Sequence, residues 1–161
     1  MFEERCGDDS RCKASHALFS IRSDRLDPAA VTAGLGIAPS EAWAKDEEYL
    51  SKASPRRRPW GMWHLSTEGT VASRIPEQQA LYLLELLEPR VDFLSRFVGD
   101  SDYLVVVKFW WESRDNIGGF ELSSGTVGRL AAISNFIGFT VIGTCENEKG
   151  AEPDAAADGG A

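Results

Sequence analysis

Histidine and cysteine are scarce, at two and three in 161 residues. His16 and His64 are therefore the only side chains whose ordinary pKa puts a charge change near neutral pH. Neither stands in a pattern with a paired nucleophile, and Gly-x-Ser-x-Gly, GxxxxGK[ST] and GxGxxG are all missing. Those absences exclude a nucleophile elbow, a phosphate-cradling loop and a dinucleotide fingerprint, and no catalytic residue is assigned. Cys6, Cys12 and Cys145 form an odd set in polar segments, which argues against a disulfide framework and predicts exposed, reduced thiols. Cys6, Cys12 and His16 come nearest to a metal pattern, but their gaps fit no usual zinc spacing and a fourth ligand is missing. Neither metal nor cofactor is expected. No run reaches the ~20 apolar residues of a membrane helix, and the opening MFEERCGDDSRCKAS carries both charge signs and no apolar stretch. No membrane partner is read, and the expected location is the cytoplasm.

Positive charge is also in deficit, with 17 Lys and Arg against 25 Asp and Glu, a net −8. Nucleic acid is therefore an unfavourable partner. Half of the surplus lies in residues 144–161, TCENEKGAEPDAAADGGA, where five carboxylates face one lysine and no large apolar side chain occurs. This reads as a disordered acidic tail. With residues 1–15 as a flexible N-terminal segment, a single domain over 16–143 remains.

Apolar residues make up 43 % of the chain, and their spacing predicts an α+β domain. Residues 17–23 and 60–66 read as strands. Asp27 caps a helix from Pro28 to Leu35 that Gly36 stops. A polar stretch follows from Ser40 to Pro59 and reads as a long loop. Pro76 opens a helix carrying Leu83, Leu84 and Leu87, and a second helical piece runs from Arg90 to Val98. Residues 102–112 form the longest strand, with Tyr103, Val105, Val107, Phe109 and Trp111 on the face that must be covered and Leu104, Val106, Lys108 and Trp110 on the other. A short strand at Phe120–Leu122 and a helix capped by Ser123 or Ser124, with Val127, Leu130, Ala131 and Ile133 inward, come next. Asn135 takes the left-handed position at its end, and residues 136–142 are the last strand. The expected architecture is a two-layer sandwich: a mostly antiparallel sheet of about five strands with helices on one face, built from two βαβ-like halves.

Several short motifs recur in a familiar order: Leu18-Phe19-Ser20-Ile21, Leu26-Asp27-Pro28, Leu35-Gly36-Ile37-Ala38-Pro39, Trp43-Ala44-Lys45, Gly61-Met62-Trp63, the leucine-rich helix at 81–87 and the Leu122-Ser123-Ser124 helix start. Over roughly residues 16–143 the chain resembles the uncharacterised bacterial family known as domain of unknown function 4279. The resemblance implies domain limits and no activity.

Two surfaces stand out for binding. Adjacent strand residues face opposite ways, so Trp110 and Trp111 cannot share one helix-covered core, and one tryptophan must lie on the open face of the sheet. Such an aromatic suits a protein interface. The leading expectation is accordingly a non-enzymatic protein-binding module, of inhibitor, immunity or accessory-subunit type, with self-association left open. The alternative is a small-molecule or anion sensor with a pocket rim of Trp43, Lys45, Arg56, Arg57, Arg58, Trp60 and Trp63, since arginines pair with oxyanions and tryptophans stack on flat ligands.

Overall fold

A computed structural model describes residues 11–52, 54–114 and 118–143. The expected flexible start, as far as residue 10, and the acidic tail from Thr144 lie outside the described residues. Residues 12–15, expected to be flexible, belong instead to β1 (Cys12–Ser23). There Cys12 pairs with Ser113 across the sheet and is fully buried, so its thiol is not the exposed one expected.

The chain continues through α1 (Pro28–Leu35), β2 (Glu41–Trp43), β3 (Glu48–Ser51), β4 (Ser54–Arg57), β5 (Gly61–Ser66), α2 (Pro76–Leu87), a 3-10 turn at Glu88–Arg90 and α3 (Val91–Val98). It ends with β6 (Leu104–Ser113), α4 (Ser124–Ile133) and β7 (Phe136–Ile142). Local chemistry sets the helix ends. The Asp27 carboxylate accepts from the Ala29 and Ala30 amides, and Gly36 closes α1 at φ +67°, a conformation glycine adopts without strain. Within α1, Gly34 lets the Phe93 ring of α3 lie where a Cβ would sit 1.9 Å from it, so the two helices pack closely. The Ser123 hydroxyl caps α4 by accepting from the Thr126 amide, and donates to Glu77 at the start of α2, at 2.9 Å.

The main sheet has the order β2-β5-β1-β6-β7. Three of its pairings are antiparallel and one, β6 with β7, is parallel. The two expected βαβ-like halves can be traced in it. β6-α4-β7 joins neighbouring parallel strands, and β1-α1-β2 joins two parallel strands between which β5 is inserted. Ala17, Phe19, Ile21, Trp63, Leu65, Val105, Val107 and Phe109 form the inner face, on which all four helices sit with Val31, Leu35, Leu83, Leu84, Leu87, Leu94, Leu130 and Ile133. Among the described residues no helix is long and apolar enough to cross a membrane.

Four local expectations need correcting. The polar stretch at 40–59 is not irregular: it contributes the edge strand β2 and the separate β3-β4 hairpin. Phe120–Leu122 is not a strand, because the Phe120 ring turns inward onto Phe109 and Phe139, 5.8 and 5.5 Å between centroids. The sheet reaches five strands through β2 instead. In α4 Thr126 faces the protein with Leu130 and Ile133, while Val127 and Ala131, expected inward, are exposed. Asn135 is not left-handed. Its backbone donates to Val105 O at 3.0 Å, its Oδ1 accepts from Val105 N at 2.9 Å, and its Nδ2 donates to Tyr103 O at 3.0 Å, so it pins the start of β7 to β6.

Candidate functional site

Because every helix lies on one side, the outer face of the sheet is free to carry side chains in register. One row across it is Trp43-Met62-Arg22-Leu104 and the next is Glu41-His64-Ser20-Val106. Farther along the strands come Ser66-Leu18-Lys108 and then His16-Trp110. The first row marks the end of the sheet where the β3-β4 hairpin rises. Reciprocal main-chain bonds fasten that hairpin, Asp46 N to Arg58 O at 2.8 Å and Arg58 N to Glu47 O at 2.9 Å.

That attachment fixes Arg58. Its guanidinium lies over the Trp43 ring at 3.9 Å and over the Tyr49 ring at 4.1 Å, held by both aromatic groups. Two strands away in the same row, about 10 Å at sheet spacing, the Arg22 guanidinium lies over Trp60 at 5.8 Å. Three N–H donors here, Arg22 Nε, Trp43 Nε1 and Arg58 Nε, are buried and have no acceptor among the described residues. Each such donor costs about 1–3 kcal/mol when left unsatisfied. Beside them a depression of about 530 Å³ opens, lined by Arg22, Ser23, Asp24, Arg25, Trp60, Asp102 and Leu104.

The acids of this depression are engaged. Asp24 accepts from Lys45 at 2.6 Å, an interaction that raises the lysine pKa above its ordinary range, first through the hydrogen bond and then through the charge. Asp102 pairs with Arg25 at 2.5 Å, and Asp100 reaches the same group at 3.3 Å. Among the described residues neither Arg22 nor Arg58 has a carboxylate at ion-pair distance. The acids are thus matched while two cationic donors remain free for an incoming acceptor.

The fold therefore divides the residues expected at a pocket rim. Trp43, Arg58 and Trp60 stand at this end of the sheet, and Lys45 is tied to Asp24 beside them. Arg56 and Arg57 are exposed on the hairpin, with Arg57 paired to Glu48 at 2.9 Å. Trp63 cannot join a rim: it is wholly buried under α1 and donates from Nε1 to Thr32 Oγ1 at 3.0 Å. Trp110 lies on the outer face, half-buried and three rows away, stacked on His16 at 5.1 Å and 20°. Arg22 was missed. The signal was present, since it shares the outward-facing positions of its strand with Leu18 and Ser20, opposite Phe19 and Ile21.

His64 sits edge-on to Trp43, 6.5 Å between centroids. Burial pushes its pKa below the ordinary histidine range, and Glu41 opposes this in part. It is held neutral on a strand beside an aromatic ring, an arrangement suited to lining a site. Among the described residues no three His, Cys, Asp or Glu side chains come together as metal ligands. What the site offers is a set of buried cationic and aromatic N–H donors without acceptors among the described residues.

No curated protein and no solved structure matches the chain. A family model, domain of unknown function (DUF4279), matches residues 11–143, which takes in every strand and helix described above. The chain belongs to that family.

Proposed function

We propose that the protein is a non-catalytic binding module for a small organic oxyanion, a flat body bearing a carboxylate or phosphate, held at the Trp43-Arg22-Trp60 end of the outer sheet face. The observation that carries this reading is the trio of buried donors without acceptors, two of which belong to guanidiniums already ordered against aromatic rings. A guanidinium fixed in this way has lost its rotamer freedom before binding, so less affinity is given up on ordering it. An oxyanion would supply the acceptors, and Trp60, at 41 % exposure, offers a face for the flat body. The proposal places the module in the cytoplasm, where cysteine thiols stay reduced.

Phenyl phosphate, benzoate and inorganic phosphate are suitable probes, titrated by calorimetry and by tryptophan fluorescence. Saturable binding is expected, tighter for phenyl phosphate than for inorganic phosphate. Arg22→Gln and Arg58→Gln should each weaken it about tenfold or more, the loss of one charge-assisted hydrogen bond. Arg56→Gln and Arg57→Gln should leave it unchanged. Failure of all three probes, or equal effects of all four substitutions, would remove the reading. A protein partner is the second reading, favoured by Trp110 and Lys108 on the part of the sheet that no helix covers. Under it Trp110→Ala abolishes capture of a partner while the two arginine variants retain it.

A further inference from the structure

Eight large apolar side chains are exposed among the described residues, and five of them, Val127, Phe136, Phe139, Val141 and Ile142, lie on β7 or on α4 beside it. Among the described residues β7 is an edge strand, paired to β6 on one side only. Edge strands are ordinarily protected by charge, proline, a bulge or shortness. The opposite edge follows that pattern, for β2 has three residues and carries Glu41. β7 does not. Its seven residues, FIGFTVI, contain no charge and no proline. On the helix side it borders a groove of about 400 Å³ lined by Phe120, Leu122, Val127, Phe139 and Val141, with Gly119 at its end.

We infer that β7 is the interface of a homodimer, pairing antiparallel with β7 of a second copy to make one continuous ten-stranded sheet. The occupant follows from charge and register. A chain of net −8 repels its own copies except through a surface without charge, and β7 is such a surface. A two-fold axis through Phe139 aligns all seven residues: Phe136 with Ile142, Ile137 with Val141, Gly138 with Thr140, and Phe139 with itself. Because directly opposed residues share a face, this register keeps both helix layers on the same side, whereas a one-residue slip would put them on opposite sides. It also sets exposed Phe136 against exposed Ile142 on the outer face, and brings each Phe139 and Val141 to the groove of the other copy. Phe139 already stacks on Phe109, at 5.8 Å and 15°, so its ring is held in place for the contact. The chain's own continuation is a poor occupant for the groove, since residues 144–161 carry no large apolar side chain.

Light scattering on the full chain should give a dimer at micromolar concentration, and Val141→Lys, which puts a charge at an exposed site, should give a folded monomer whose melting midpoint no longer depends on protein concentration. Register is tested separately in a Cys6→Ser, Cys145→Ser background. Phe139→Cys should form a disulfide-linked dimer under mild oxidation, because opposed Cα atoms stand about 4.5–5.5 Å apart, within disulfide reach. Val141→Cys should not link to itself, as the two copies of that residue would lie about 13 Å apart along the strands. A monomeric parent chain would overturn the inference. So would equal cross-linking at positions 139 and 141, or a dimer that Val141→Lys leaves intact. Should Phe139→Cys fail to fold, the light-scattering pair still decides.

Discussion

Asn135→Ala tests whether the polar side chain at the start of β7 holds the parallel pair together. Val105 is wholly buried, and its amide donates to Asn135 Oδ1 at 2.9 Å; Tyr103 O accepts from Nδ2 at 3.0 Å. Truncation orphans the Val105 amide, for which the expected cost is about 1–3 kcal/mol. Asn135 is itself exposed, so water can enter the vacated space, and the lower half of that range, about 1–2 kcal/mol, is the better figure. At ~3 °C per kcal/mol for a domain of this size, the melting midpoint should fall by about 3–6 °C. Asn135→Gly separates this account from a left-handed one. At a left-handed helix end glycine is neutral or stabilising, but here it loses the same two bonds and adds backbone entropy to the unfolded chain. It should melt at or below the alanine variant. A glycine variant as stable as the parent chain would refute the reasoning.

Two further outcomes follow from burial. Val107→Asp should prevent folding, because Val107 is fully buried on the inner face and an unpaired carboxylate there costs several kcal/mol, while Lys108→Ala, next to it on the outer face, should be mild; circular dichroism that shows equal tolerance would overturn the assignment of faces. Burial lowers the folded-state pKa of His64, so the unfolded chain takes up the proton first as pH falls. Stability should therefore be full above about pH 6.5 and decline as the pH falls from there towards the folded-state pKa. His64→Gln should flatten that part of the profile, and melting curves with an unchanged pH slope would refute this.

How far the fold could be read in the sequence depended on how apolar each segment was. β6, with inward positions occupied by Val105, Val107, Phe109 and Trp111, was legible because burial and alternation coincide in it. The same holds for α1, whose Asp27, Pro28 and Gly36 state both of its ends. The β3-β4 hairpin was not legible. Glu48-Tyr-Leu-Ser and Ser-Pro-Arg-Arg have no apolar face, and Pro55 is tolerated only because each strand has a single neighbour. What holds this segment is the pair of main-chain bonds at Arg58, together with its guanidinium over Trp43 and Tyr49, contacts between residues that no periodicity links. Asn135 was misjudged for a related reason. Its position after a helix suggested a backbone role, but its partners, Tyr103 and Val105, are about thirty residues away in sequence.

The candidate site was legible as residue types and illegible as a place. Trp43, Arg58 and Trp60 belong to one segment of sequence, but the donor that completes them, Arg22, comes from β1 and meets them only through the insertion of β5 between β1 and β2. Its partners are thus decided by strand order, which local patterning does not encode. Strand order also separates the two surfaces. The site belongs to β2, β5 and β1, and the uncharged edge is β7, with β6 between. In a sheet continued through two copies of β7, the two Arg22 side chains would stand on the same outer face five strand spacings apart across the sheet, about 24 Å, and farther apart still once their offset along the strands is added. No small oxyanion reaches across that gap, so each copy must bind its own ligand, and Val141→Lys should leave phenyl phosphate affinity unchanged even as it separates the dimer. An affinity that fell with dissociation would mean that the second copy completes the site, and the assignment of the site to one chain would fail.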